Sequence, residues 1–217
     1  MSAAERLHRI QAGIANAAQL GRGEPAEVTL IAVSKTRTVE EIEELIAAGQ
    51  RHFGESRVQE ALAKWPPLRA AHPDITLHCV GRLQSNKATE AVQLFDVIHS
   101  VDRASLLSAL AKEADKQSLA PRIYVQVNIG EEEQKGGCPI NDVGELIAAV
   151  RASPLPLAGL MAIPPQDVEP APFFALLAEI ARRHGVTGLS MGMSADYPAA
   201  VALGATIVRV GTALFED

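Results

Sequence analysis

Leu7, Ile10 and Ile14 recur on one face of an amphipathic helix predicted over residues 2–20. Ser2 and Glu5 have the spacing of a capping box at its start, and Gly21-Arg22-Gly23-Glu24-Pro25 stops it. The periodicity then changes. Val28-Thr29-Leu30-Ile31-Ala32-Val33 is a continuous apolar run rich in β-branched residues, as in a strand buried on both faces. Thr38 and Glu41 form a second capping box, opening a helix with Val39, Ile42, Leu45 and Ile46 inward and Gly49 as its C-cap. A short strand near 51–54 precedes a helix from Ser56 that carries Val58, Leu62 and Trp65 and ends at Pro66-Pro67.

The alternation continues to the end of the chain. Strands are predicted at 75–81, 96–101, 122–128, 157–163, 188–191 and 206–210. Between them lie helices in 85–95, around Leu106, Leu107 and Leu110, around Val143, Leu146, Ile147 and Val150, around Phe173, Phe174, Leu177 and Ile180, and over 194–203. Strands separated by helices pair in parallel through right-handed crossovers. Eight such units predict an α/β fold: one (β/α)8 TIM-type barrel with an extra amino-terminal helix, a single domain spanning residues 1–217. The competitor is a doubly wound open sheet. The segment after its first strand would be glycine-rich, but here it reads Ser34-Lys35-Thr36-Arg37, which favours the barrel.

Composition narrows the partners. With 47% hydrophobic and 21% charged residues, the chain can bury a large core. Its net charge of −6 argues against a nucleic-acid partner. Cys79 and Cys138 stand far apart with no CxxC spacing, which suits a reducing compartment. There is no apolar run of membrane-spanning length and no signal-peptide pattern at the amino terminus, so a cytoplasmic protein is expected. Six histidines without HxxxH or HExxH spacing give a metal little support.

In a parallel barrel, chemistry gathers at the carboxyl ends of the strands. The first strand delivers Lys35 there. It is either an amine partly withdrawn from water and able to form a Schiff base with an aldehyde, or a lysine that snorkels to solvent. Gly192-Met193-Ser194 ends the seventh strand, with Ser194 as helix N-cap, and Gly211-Thr212 ends the eighth. Loops at these positions form the recurring phosphate site of the fold, although glycine turns with a capping serine are common in any α/β protein. A phosphate cup facing a strand-end lysine suggests a phosphorylated aldehyde. Arg209, two residues before Gly211, points to the same side. It either closes a salt bridge at the rim or meets a ring nitrogen or phosphate of a ligand. His78 lies in a strand as a core residue or a ligand contact, and the charged, glycine-rich segment 130–137 is a mobile loop, solvated or acting as a lid.

The motifs Ala32-Val33-Ser34-Lys35-Thr36, His52-Phe53-Gly54-Glu55, Gly81-Arg82-Leu83-Gln84-Ser85-Asn86-Lys87, Gly159-Leu160-Met161-Ala162-Ile163, Ser190-Met191-Gly192-Met193-Ser194 and Val208-Arg209-Val210-Gly211-Thr212 occur in this order. Through them the chain resembles the pyridoxal phosphate homeostasis proteins along nearly its whole length. The resemblance implies a single barrel like the amino-terminal domain of alanine racemase. It implies pyridoxal phosphate held as a Schiff base on Lys35, its phosphate at Ser194, Gly211 and Thr212 beside Met193, and Arg209 near the pyridine nitrogen. It also implies a carrier in vitamin B6 homeostasis that buffers the cofactor or delivers it to apo-enzymes; the amino-terminal helix, covering barrel surface, favours a monomer and leaves a dimer open. Three positions depart from the family pattern: Ser56 where many relatives have asparagine, Cys79 in place of a bulkier residue, and Glu216 where glycine is frequent and little effect is expected.

A carrier is favoured over an enzyme. An arginine disfavours the pyridinium form that makes this cofactor an electron sink. Racemisation also needs a second acid/base opposite the lysine. The sequence ends at Asp217, soon after the last strand, so no carboxy-terminal domain is expected to supply it, and Tyr124 and Tyr197 are poor substitutes. The alternatives are a small racemase-like pyridoxal phosphate enzyme and a Schiff-base aldolase acting on a sugar phosphate.

Overall fold

Ser2 accepts a hydrogen bond from the Glu5 amide while the Glu5 carboxylate accepts one from the Ser2 amide, so both members of the capping box are satisfied and helix α1 (Ala3–Arg22) begins there. In the computed structural model, which describes residues 1–23 and 27–216, this helix precedes a closed barrel of eight parallel strands. The strands are β1 (Thr29–Val33), β2 (His52–Glu55), β3 (Thr76–Cys79), β4 (Val97–Val101), β5 (Arg122–Val127), β6 (Leu157–Ala162), β7 (Leu189–Ser190) and β8 (Ile207–Val210). Each pairs with its successor and β8 returns to β1, with Ile31 opposite Arg209, so every carboxyl end emerges on one face.

The outer layer consists of α2 (Val39–Ala47), α3 (Val58–Ala71), α4 (Ala88–Leu94), α5 (Ala104–Gln117), α6 (Val143–Arg151), α7 (Ala171–Arg183), α8 (Tyr197–Ala202) and α9 (Thr212–Phe215). Their apolar stripes pack on the outward strand residues as one continuous core that includes Phe53, Trp65, Leu106 and Phe174. A smaller cluster of Ile31, Val97, Tyr124, Met161 and Ile207 fills the barrel itself. Helix α1 packs across α8 and α9, tied by Arg22 to the carbonyls of Val201 and Ala205 and by Arg6 to that of Leu214. The approach is so close that a Cβ on Gly21 would collide with Ala202. Strands β6 and β7 approach similarly, because a Cβ on Gly159 would collide with the Gly188 carbonyl and the Tyr124 ring.

All eight strands fall where the apolar runs predict them, several trimmed at their ends. Helix α1 runs through Gly21 and Arg22 to a left-handed Gly23, while Glu24 and Pro25 of the predicted stop lie outside the described residues. The cap of α2 is Ala48, with Gly49 at positive φ one residue later. Helix α3 starts after Arg57 rather than at Ser56, and Pro66-Pro67 do not end it. Both prolines are exposed, on the solvent side of the helix, while Trp65 and Leu68 stay buried. The predicted helix in 85–95 divides into a 3-10 turn, Ser85–Lys87, and α4. Ser194 is not the cap of α8: Asp196 is, and its carboxylate accepts from the Met193 amide at 2.5 Å.

Candidate functional site

A cavity of about 640 Å³ opens at the carboxyl ends of the strands. Its apolar surface comes from Val33, Val80 and Ile163, and its polar surface from Lys35, Arg37, Arg82, Lys135, Arg209, Ser56, Gln126, Ser194 and Thr212. Five cations thus surround one space in a chain whose net charge is −6, and no Asp, Glu, His, Cys or Tyr faces it among the described residues. Such a wall suits an anionic, partly apolar ligand.

The segment carrying Lys35 is held from beneath. Ser34 is buried, donates through Oγ to Glu55 Oε1 at 2.8 Å and through its amide to the Gly54 carbonyl at 2.9 Å. Glu55, fully buried, also accepts from Trp65 Nε1 at 2.9 Å and pairs with Lys64 Nζ at 2.9 Å. Lys64 donates to the Ser34 carbonyl at 2.9 Å and lies 3.3 Å from both the Arg37 carbonyl and Glu60 Oε1. Glu60 in turn accepts from the Thr36 amide at 2.6 Å. Thr36 has φ of 64°, a left-handed conformation that a β-branched residue adopts only when its surroundings impose it. This clamp leaves Lys35 exposed at the cavity mouth, its Nζ without a hydrogen-bond or ion-pair partner among the described residues. Of the two alternatives the sequence leaves open, the solvent-reaching lysine is the one seen; the turn after Ser34 lifts it clear of the strand.

Arg209 lies below the mouth and is only 4% exposed. Two of its guanidinium N–H groups are bonded, Nη1 to Ser190 Oγ at 2.7 Å and Nη2 to the Ala162 carbonyl at 3.0 Å. No carboxylate pairs with it among the described residues, so the predicted rim salt bridge is absent, and burial lowers its pKa to about 10. A buried arginine with spare donors and no ion-pair partner, its burial offset only in part by the charge of Asp196, is costly unless another acceptor reaches it. Across the cavity, the Gly211 amide donates to Ser194 Oγ at 3.3 Å, and Met193 and Thr212 complete that wall.

Segment 130–137 supplies the opposite wall through Lys135 and Gly136. Several contacts tie it to the barrel: Asn128 bonds the Glu132 backbone in both directions, Gln126 Nε2 donates to the Gly136 carbonyl at 3.1 Å, and Lys135 reaches the Pro164 carbonyl at 3.1 Å and Glu132 at 2.6 Å. Ser56 faces the cavity, whereas Cys79 is buried outside the barrel wall, where burial pushes its thiol up to about 12. Glu216 does more than expected, because it forms an ion pair with Arg37. Tyr124 and Tyr197 are absent from the cavity wall.

His78 does not join the other candidates. It is buried in the barrel's lower half, 3.1 Å from His52 Nδ1 through Nε2 and 3.0 Å from His99 Nε2 through Nδ1. It borders a separate cavity of about 230 Å³ at the barrel floor. Lys35, Met193, Ser194, Arg209, Gly211 and Thr212 are brought together as the sequence suggests. Sequence reasoning missed Lys64 and Glu55. The available signal was Lys64's place on the buried stripe of α3 with Ala61, Trp65 and Leu68.

Comparison with known proteins follows this geometry. Residues 7–217 match the family described as alanine racemase, N-terminal domain. The chain is 40% identical to a pyridoxal phosphate homeostasis protein of Pseudomonas aeruginosa over 98% of this chain and 94% of that one. It is 39% identical to another from Aquifex aeolicus, covering 100% and 99% of the two chains. Among solved structures it is similar to PipY of Synechococcus elongatus with pyridoxal phosphate bound, at TM-score 0.84 and 41% identity, over 98% of this chain and 99% of that one.

Proposed function

The chain belongs to the pyridoxal phosphate homeostasis proteins, on the alanine racemase amino-terminal domain, and from that premise we propose that it holds pyridoxal phosphate on Lys35 to buffer or deliver it in the cytoplasm. In this reading the Lys35 amine bonds to the aldehyde carbon and water leaves. The Ser194 and Thr212 hydroxyls receive the phosphate beside Gly211 and Met193, with cations around the mouth offsetting its charge. Arg209 donates to the ring nitrogen. His78, at the barrel floor, is no longer assigned to the ligand. The protein acts as a monomer, and apo-enzymes receive the cofactor.

The carrying observation is Arg209: a buried cation with no carboxylate partner among the described residues, bordering a cavity that also holds an unpartnered lysine. The donor set suits the cofactor, with an amine for the aldehyde, the neutral hydroxyls of Ser194 and Thr212 for the phosphate, and apolar Val33, Val80 and Ile163 for the ring. The cofactor's chemistry is electron withdrawal through a protonated ring nitrogen, and a permanent cation beside that nitrogen weakens it. This supports storage over catalysis. Lys135 favours a second reading as a weak racemase-like enzyme, because it is the other amine at the cavity and, among the described residues, the only further candidate there for an opposing acid/base.

The test is a visible absorption spectrum of purified protein mixed with pyridoxal phosphate, before and after borohydride, with peptide mapping. A band lost on reduction, a pyridoxyl adduct on Lys35 and no band in Lys35→Ala are expected. A colourless mixture, or an adduct elsewhere, overturns the reading. Sustained deuterium exchange at the α-carbon of an amino acid, abolished in Lys135→Met, would replace the carrier with the enzyme.

A further inference from the structure

Beneath the cavity, buried polar groups form a line through the barrel to its floor. Arg209 Nη1 donates to Ser190 Oγ at 2.7 Å, Ser190 Oγ lies 2.9 Å from His99 Nδ1, His99 Nε2 lies 3.0 Å from His78 Nδ1, and His78 Nε2 lies 3.1 Å from His52 Nδ1. Ser190 and His99 are fully buried, and Tyr124 stacks flat on His99 at 4.5 Å between ring centroids.

Donor counting fixes the direction of every bond. A guanidinium only donates, so Ser190 accepts from Arg209. The serine has one further partner among the described residues, His99, and a buried hydroxyl proton is costly to leave unpaired when an acceptor lies in reach. Ser190 therefore donates to His99 Nδ1. His99 then carries its proton on Nε2 and donates to His78, which carries its own on Nε2 and donates to His52. All four bonds run from the guanidinium towards the floor, each polarising the next. The reverse sense would turn two donors on Ser190 and leave its hydroxyl proton without an acceptor.

We propose that Ser190 and His99 are positioning residues for Arg209. They hold its Nη1 in place so that the remaining guanidinium donors face the ligand in the cavity above. Ser190 does this by accepting from Arg209, and His99 by taking the serine's proton, which orients the serine's lone pairs upward. His78 and His52 lock His99 in the required tautomer. The inference rests on Arg209 as a ligand contact, as in the function proposed above.

The experiment compares Ser190→Thr with Ser190→Val, which match in shape and differ in the hydroxyl. Each is titrated with pyridoxal phosphate beside the wild type, reading the dissociation constant, the position of the visible band and the melting temperature. The threonine variant is expected to bind like wild type. The valine variant is expected to bind about tenfold more weakly, the scale of one hydrogen bond to a charged group, with a displaced band. Equal affinity and equal spectra for the two variants overturn the positioning role. A wild type that takes up no pyridoxal phosphate overturns the functional reading itself, and this inference with it. Should neither variant fold, imidazole nitrogen-15 shifts of the ligand-free wild type at neutral pH decide. Uncharged His78 and His99 with the proton on Nε2 support the chain; a proton on His99 Nδ1 overturns it.

Discussion

Lowering the pH should unfold this barrel from within, and the buried histidines set the size of the effect. His78 is 1% and His99 0% exposed. Burial holds both well below the ordinary imidazole pKa, reinforced for His78 by His52 and Arg122 and for His99 by His78, Arg209 and Arg122. Both stay neutral in the folded protein, while in the unfolded chain they gain protons as the pH falls through the ordinary value of about 6.5. The unfolded state then binds more protons, so stability is intact above about pH 6.5 and declines below it, by about 1.4 kcal/mol per pH unit for each histidine. Between about pH 6.5 and 5 the pair costs roughly 3 kcal/mol, a large part of the stability of an ordinary domain. Carboxylates held below their usual range, such as Glu179, lose their contribution at lower pH, so the upper part of this window belongs to the histidines. Urea unfolding at constant ionic strength, stepped from about pH 8 to 5, measures the slope. His99→Asn will be less stable throughout because it loses the ring stacked on Tyr124, but its slope between about pH 6 and 5 should be shallower by about 1.4 kcal/mol per unit. An unchanged slope would refute the claim that His99 is buried and neutral.

Lys64→Met leaves Glu55 buried without its cation and should cost about 3–5 kcal/mol in urea unfolding, with part recovered in the Lys64→Met/Glu55→Gln double variant; additive losses would mean the two residues are not coupled. Gly159→Ala forces a methyl into the Gly188 carbonyl and the Tyr124 ring, and should lower stability by about 3 kcal/mol or more in the same assay. Burial pushes Cys79 up to about 12 and Cys138 up to about 11, so a thiol reagent at mildly alkaline pH should label neither until denaturant is added; rapid labelling of folded protein would contradict their burial.

The legible parts of the fold are those written in neighbouring residues. Both capping boxes, Ser2 with Glu5 and Thr38 with Glu41, make their two reciprocal bonds, because a cap depends on residues three apart and little else. The misreadings arose where a local rule had a competitor. Pro66 and Pro67 break helices in general, but here both lie on the exposed side of α3 while its buried side keeps packing. Ser194 is a good capping residue, yet Pro198 belongs to the first turn of the observed helix and marks a start near Tyr197. The barrel itself was legible because apolar runs and helical stripes alternate throughout the chain.

The site was legible to the depth at which strand parity was applied. Two-residue spacing placed Arg209 and Gly211 on one side of β8, and both border the cavity. Carried through the other strands, the same rule turns His52, His78, His99 and Ser190 inward, as each ring and hydroxyl in the chain beneath Arg209 requires. Parity alone does not bring them together. The links join residues 26, 21 and 91 positions apart, and contact depends on the stagger of β2, β3, β4 and β7 around the closed sheet. Pairing fixes that stagger, for example by setting His78 opposite both Gly54 and Val97, so that His99 stands one inward step above. The polar line is thus a product of closure. In an open sheet these histidines would lie along one face, and Arg209 would lose its connection to the floor.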